Sequence, residues 1–153
     1  MAQPERIDTE VLVVGGGLVG ASLAGALAAS GVPTVMLDRA DPASVLGERF
    51  DGRASAIAAG SRHMFEAIGL WDHVPEAQPI LAISVTDGRI GAAASPLGLH
   101  YDHRTVGEPL GHLVENRLLR LAQQRFLATQ HNLRQLAPVE LTRVVRRETG
   151  VEA

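Results

Sequence analysis

Cysteine is absent from all 153 residues, which excludes disulfides, thiolate metal sites and dithiol redox chemistry. Any redox work must come from something bound, and the composition suits a reducing cytoplasm. An excess of either charge is missing too. A formal net charge of -3 and a pI near 6.0 give no basic field for a polyphosphate, so no nucleic-acid partner is expected. Long apolar runs are lacking: residues 11–14 are too few to span a bilayer, and residues 18–29 are dotted with Gly, Ala and Ser. The first ten residues have neither the basic start nor the apolar stretch of a secretory signal, so the expected location is cytoplasmic. What is present, 46% hydrophobic and 20% charged residues, is the make-up of a globular domain able to bury a core.

Residues 9–14 form an apolar, β-branched run ending in glycines, as expected for a central parallel strand covered on both faces. Residues 18–30, rich in Ala and Leu and stopped by Gly31 and Pro33, predict a helix, and residues 34–38 a second strand. Together these make a βαβ unit with a right-handed crossover. Residues 39–52 read as a loop. A helix is expected over 54–68, with Ile57, Met64, Phe65 and Ile68 facing inward, Gly69 as its stop, and Leu70 and Trp71 tucked back in a short turn. Residues 80–86 alternate as a strand does, and Asp87-Gly88 signals a hairpin. Residues 91–111 read as irregular apart from one short strand over 97–101. A strand at 113–115 then leads to a helix capped by Asn116, with Leu118, Leu121, Ala122 and Phe126 at helical spacing. Strands are expected at 133–136 and 139–145, followed by a turn at Glu148-Thr149-Gly150 and the start of a further strand.

Gly15, Gly17 and Gly20 form G-x-G-x-x-G between a strand and a helix, with Ala24 and Gly31 where a dinucleotide fingerprint wants small residues. Gly15 permits the tight turn, Gly17 the approach of backbone to a pyrophosphate, and Gly20 close packing of helix on strand. Leu18 and Val19 open the helix, whose first N–H groups and dipole favour negative charge. Asp38 ends the second strand, where a carboxylate can accept hydrogen bonds from adenosine ribose hydroxyls and disfavours a 2'-phosphate. This motif does not by itself separate FAD from NAD; a simple NAD-linked dehydrogenase is open on the first forty residues alone, and the later segments argue against it. Arg53 stands at the mouth of the next expected helix, where its fork suits phosphate or ribose; from spacing alone it is equally a solvent-facing arginine beside Asp51. Arg117 by itself reads as a surface arginine on a capped amphipathic helix. His100 and His103 lack a third or fourth ligand at recognisable spacing, so no metal is expected.

Three segments together resemble the FAD-dependent hydroxylases of ubiquinone biosynthesis, a family related to para-hydroxybenzoate hydroxylase. They are Val-Val-Gly-Gly-Gly-Leu-Val-Gly with Asp38, then Asp-Gly-Arg-Ala-Ser-Ala-Ile with Gly-Leu-Trp-Asp, and finally Gly-His-Leu-Val-Glu-Asn-Arg-Leu-Leu. Ile-Ser-Val-Thr-Asp-Gly between them is similar too. The likeness runs from about residue 9 to 151; the glycine motif is widespread among flavoproteins, whereas the segments holding Arg53 and Arg117 are more restrictive.

The resemblance implies an α/β fold: a Rossmann-like doubly wound FAD domain with a parallel sheet, interleaved with a β-sheet substrate domain that residues 80–111 would begin. It implies that Gly15, Gly17, Leu18, Val19 and Gly20 meet the FAD pyrophosphate, and Asp38, with Arg39 beside it, the adenosine ribose. Arg53 would meet the phosphate and ribose region, Arg117 would lie beside the helix entry, and His112 in the neighbourhood of the ribityl chain. No catalytic residue is assigned. The implied reaction is hydroxylation of a phenol ring, polyprenylated in this family, with NAD(P)H and O2 as co-substrates. Peripheral association with the inner membrane face or a ubiquinone-biosynthesis complex would follow. The same fold also serves other aromatic, alkene or halogenation substrates, and a non-catalytic nucleotide-binding fragment is the reading from a different class. Family members are longer and carry a later Gly-Asp motif, so the chain reads as an N-terminal fragment. Alone, it is expected to bind FAD weakly or not at all and not to turn over substrate.

Overall fold

The computed structural model describes residues 6–45, 52–87, 91 and 98–153. Strand β1 (Val11–Val14), helix α1 (Leu18–Ala29) and strand β2 (Thr34–Leu37) form the βαβ unit, with β1 and β2 parallel and Val11 opposite Thr34. The helix ends as its sequence predicts: Gly31 takes a φ of +86° and donates to the Ala28 carbonyl. Strand β8 (Leu133–Leu136) adds to the free side of β2, also parallel, giving the order β1-β2-β8. β2 is therefore the central strand of the described sheet, and β1, expected there, lies at its edge with Val14 55% exposed.

Helix α4 (Asn116–Leu127) precedes β8 and packs against α1. Successive right-handed crossovers moving the same way across a sheet put both helices on one face. Gly25 allows their close approach, since a Cβ there would sit 2.8 Å from the Phe126 ring and 3.0 Å from Leu127. Leu119, Ala122, Phe126 and Leu127 are buried in that seam with Ala21, Ala24 and Ala28, and the core continues through Val13, Met36 and Val114. The apolar stripe of α4 thus runs through Leu119, whereas Leu118 and Leu121 are only half-buried.

The expected helix over 54–68 is in fact two elements. Residues Ala54–Ala58 form strand β3, and only Ala59–Ala67 form helix α3. β3 pairs antiparallel with β7 (Gly111–Glu115), Ala54 opposite Glu115 and Ala58 opposite Gly111. The alanines favour helix locally, but pairing with a distant strand overrides propensity. Ile57 and Phe65 are buried and Ile68 packs on the core, while Met64 is exposed. A single 3-10 turn, Trp71–His73, follows the fully buried Leu70.

The expected strand at 80–86 is split at Leu81. Strand β4 (Gln78–Ile80) pairs with β7, and β5 (Ala82–Thr86) with β6 (Gly98–Asp102) in a separate two-stranded sheet. β5 and β6 pair antiparallel on either side of the expected hairpin signal, Thr86 opposite Gly98; Gly88 and Leu97 lie outside the described residues. The expected loop at 39–52 contains a short helix, α2 (Pro42–Val45), favoured by Pro42 at its first position and by Asp41, whose Oδ1 accepts from Ala43 N–H at 2.9 Å. Residues 139–144 are not a strand. Strand β9 is confined to Val145–Arg147 and pairs with β10 (Gly150–Glu152) across the expected turn.

Candidate functional site

The site begins where β1 ends. Gly15, at φ +105°, donates to the Leu37 carbonyl at 2.7 Å and so ties the turn to the end of β2. Gly16 N–H donates to Asp38 Oδ2, while Asp38 Oδ1 accepts from Ala40 N–H at 2.7 Å. Two backbone amides therefore hold the carboxylate in one orientation, and each oxygen keeps a further lone pair for a ligand hydroxyl. A Cβ on Gly16 would stand 2.9 Å from Asp38 Oδ2, so a side chain there would push the carboxylate from this position.

Gly17 is the N-cap of α1 and uses no side chain there; no acidic residue occupies the first turn. Ala21 N–H donates to the Gly17 carbonyl at 2.9 Å, which leaves the amides of Leu18, Val19 and Gly20 ahead of the helical ladder. Gly20 has no room for a side chain: a Cβ would fall 1.8 Å from the Gly15 carbonyl oxygen. Gly17 is the opposite case. Its φ of −67° and ψ of 179° suit any residue, and nothing lies within 4 Å of where its Cβ would be. The chain does not need glycine at 17 for its own packing, but an anion approaching the helix end does.

A cavity of about 210 Å³ opens between this turn, the ends of β2 and β8, and α4, with Gly16, Gly17, Asp38, Arg120, Gln124 and Leu136 in its wall. Asp38 and Gly17 thus share one crevice. Arg39 lies on the other side of Asp38, in a groove with Gly15, Val139 and Glu140. Arg53 and Arg117 are brought together through the backbone, because Asn116 N–H donates to the Arg53 carbonyl at 3.0 Å. Asn116, expected as a cap, is instead the first residue of α4 after Glu115; its Oδ1 accepts from Ser55 Oγ at 2.6 Å. Arg117 is 3.8 Å from Glu115, and its buried Nε has no hydrogen-bond partner among the described residues. A buried guanidinium N–H without an acceptor is costly and marks a place for one.

His112 is not part of this crevice. It sits on β7 with its ring edge-on to Trp71, centroids 5.5 Å apart. Its buried Nδ1 has no partner among the described residues, and burial first, then the Arg62 charge, hold it below the ordinary histidine value despite an opposing pull from Glu66. His100 and His103 are engaged with Ser84 Oγ at 2.9 Å and the Leu81 carbonyl at 3.0 Å.

Sequence reasoning missed the α4 wall: Arg120, Gln123 and Gln124. Gln123 carried a signal, being a polar residue inside the apolar stripe between Leu119 and Leu127.

Residues 8–142 match the family described as FAD binding domain. The chain belongs to that family. It is 46% identical over 145 residues to ubiquinone hydroxylase UbiL of Rhodospirillum rubrum, covering 94% of this chain and 33% of that protein. With ubiquinone hydroxylase UbiM of Neisseria meningitidis it shares 31% identity over 134 residues, 83% of this chain and 28% of the other. The chain thus spans about a third of the length of these curated relatives. Among solved structures, the flavin-dependent monooxygenase PieE in complex with FAD and substrate superposes with a TM-score of 0.66 at 20% identity, covering 95% of this chain and 26% of that one. PqsL of Pseudomonas aeruginosa, a probable FAD-dependent monooxygenase, gives 0.61 at 19%, covering 93% and 36%. These two share the fold.

The residues of this FAD-binding domain fit the cofactor on three counts: space at Gly17, unpaired amides at the start of α1, and the orphaned Nε of Arg117.

Proposed function

We propose that this chain is the FAD-binding portion of a monooxygenase that hydroxylates a polyprenylated phenol in ubiquinone biosynthesis, with NAD(P)H and O2 as co-substrates. The observation that carries the cofactor half of this reading is the open space at Gly17 in front of an uncapped helix. Identity of 46% to a ubiquinone hydroxylase supports the substrate half. Bound FAD would supply electron transfer from the nicotinamide and the activation of oxygen. The residues described here bind and orient it. Gly17, Leu18 and Val19 receive the pyrophosphate on their amides, Gly15 and Gly20 shape the turn, and Asp38 takes the adenosine ribose. Arg117 supplies a charged donor at the head of α4, Arg53 another beside it, and Arg39 flanks Asp38 from outside.

His112, packed edge-on to Trp71, has a buried Nδ1 without a partner among the described residues, which supports placing it in the neighbourhood of the ribityl chain. The β5-β6 sheet, separate from the parallel sheet, supports reading residues 80–111 as the beginning of the substrate region. No helix among the described residues is long and apolar enough to cross a membrane, and peripheral attachment at the inner face would follow from a polyprenyl tail.

The test is made on the intact protein: its flavin spectrum, and the consumption of NADH or NADPH with a prenylated phenol under labelled O2. Stoichiometric FAD and one labelled oxygen in the product are expected. Protein that binds no flavin refutes the cofactor half. A flavoprotein that oxidises nicotinamide without hydroxylating any prenylated phenol refutes the substrate half.

A further inference from the structure

Gln123 is 1% exposed in the seam between α1 and α4. Its Nε2 donates to the Leu18 carbonyl at 2.7 Å and to Ser22 Oγ at 2.8 Å, and Ser22 Oγ itself donates to the Leu18 carbonyl at 2.8 Å. Leu18 is the first residue of α1, so both amide hydrogens are committed to the turn that faces the ligand crevice. One turn further along, Gly25 meets Phe126 and Leu127 through apolar contact alone. Apolar packing sets how close two helices lie, but it is non-directional and fixes their relative register weakly. Hydrogen bonds from a buried amide are directional, and leaving either partner unmade is costly, so they admit one register only.

The two helices run in the same direction, since Gln123 meets Leu18 and Ser22 while Phe126 and Leu127 meet Gly25. Arg117 therefore stands about 9 Å ahead of Gln123 along α4, at 1.5 Å per residue. The distance from the amides of α1 to the guanidinium of Arg117 thus depends on the joint made by Gln123. We infer that Gln123 is a positioning residue that sets the start of α1 against the head of α4, so that the glycine-turn amides and Arg117 engage one dinucleotide together. This rests on the FAD-binding reading above and assigns to the α4 wall a role that the glycine motif does not include. It also gives a reason for a polar amide to stand where a leucine or methionine would fill the seam.

The intact protein is compared with Gln123→Met, which keeps length and packing but donates nothing, and with Ser22→Ala, which removes one of the two acceptors. The dissociation constants for FAD and for ADP, which carries the adenosine and paired phosphates alone, are measured beside the melting temperature of flavin-free protein. Gln123→Met is expected to weaken FAD and ADP by about tenfold each and Ser22→Ala by about threefold, on the scale of one or two directional contacts. The melting temperature of each is expected to fall by a few degrees, because a buried partner is left unmade, so the two dissociation constants carry the distinction. A purely structural role would lower the melting temperature and spare both constants, which overturns the inference. Should Gln123→Met not fold, Ser22→Ala decides, and unchanged constants in it overturn the inference as well. Failure of the unaltered protein to bind FAD refutes the functional reading instead.

Discussion

Replacing Gly17 by alanine separates what the fold needs from what a ligand needs. At φ −67° and ψ 179°, with nothing within 4 Å of the new methyl group, the substitution introduces no strain and no clash. Removing a glycine from the unfolded ensemble at such a compatible position stabilises by about 0.4–1 kcal/mol. In the intact protein that raises the melting temperature of the flavin-free form by up to a few degrees. The same methyl group fills the approach to the amides of Leu18 and Val19. If it displaces the pyrophosphate enough to lose one charge-assisted hydrogen bond, worth about 1.5–3 kcal/mol, the dissociation constant for FAD rises about 10- to 100-fold. The assay is a thermal melt of flavin-free protein paired with a fluorescence titration of FAD. Higher stability with weaker binding is the expected pairing. Unchanged affinity would show that the space at Gly17 is not where the dinucleotide lies, and a fall of several degrees would show that the glycine serves the fold.

Gly20→Ala should do the reverse. Its Cβ would lie 1.8 Å from the Gly15 carbonyl oxygen, so α1 must back away from the turn, and stability should fall by about 1–3 kcal/mol in a urea melt. Arg117→Met removes a buried N–H that has no acceptor among the described residues, so flavin-free protein should melt no lower than the parent, while FAD titration shows about tenfold weaker binding. For His112, the folded value lies below the ordinary value of 6.5, through burial and Arg62 against the pull of Glu66. The unfolded chain therefore takes up the proton first, and the stability that His112 contributes is complete above about pH 6.5 and is lost as pH falls below it. Melting temperatures from pH 7.5 to 5 should thus decline less steeply in His112→Gln than in the parent, and parallel curves would remove histidine from the explanation.

The βαβ unit was legible because its signals are local. The apolar run, the glycine spacing and the Gly31 stop all act within about thirty residues, and Asp38 follows in register. The misread segment, 54–58, fails for the opposite reason. Its alanines carry a helical preference, whereas its strand partner lies at 111–115 and no local pattern announces it. The half-buried Ser55 and buried Ile57 do alternate with exposed neighbours, a period-2 cue hidden by short side chains. Residues 139–145 show the limit of β-branched composition: Val139 makes a single backbone bond to the Asp38 carbonyl, and strand pairing begins at Val145, with β10. Within the site, the glycine turn and Asp38 could be read directly, while the α4 wall could not, because it depends on how two helices meet.

That non-local pairing also joins the two arginine segments, which have no evident link in sequence. Antiparallel pairing of Ala54 with Glu115 carries Arg53 to the head of α4, where Asn116 N–H closes onto its carbonyl and Arg117 follows. α4 in turn is joined to α1 by the Gln123 amide, which donates to the Leu18 carbonyl and so relates the starts of the two helices. Among the described residues in the wall of the crevice, Asp38 supplies the carboxylate, fixed by the backbone amides of Gly16 and Ala40. A ligand suited to this order carries hydroxyl groups where Asp38 accepts and paired negative charge where the amides and Arg117 donate. Adenosine with paired phosphates satisfies both halves, an arrangement common to FAD and NAD, and it is the match of residues 8–142 to the FAD binding domain family that favours FAD as the dinucleotide.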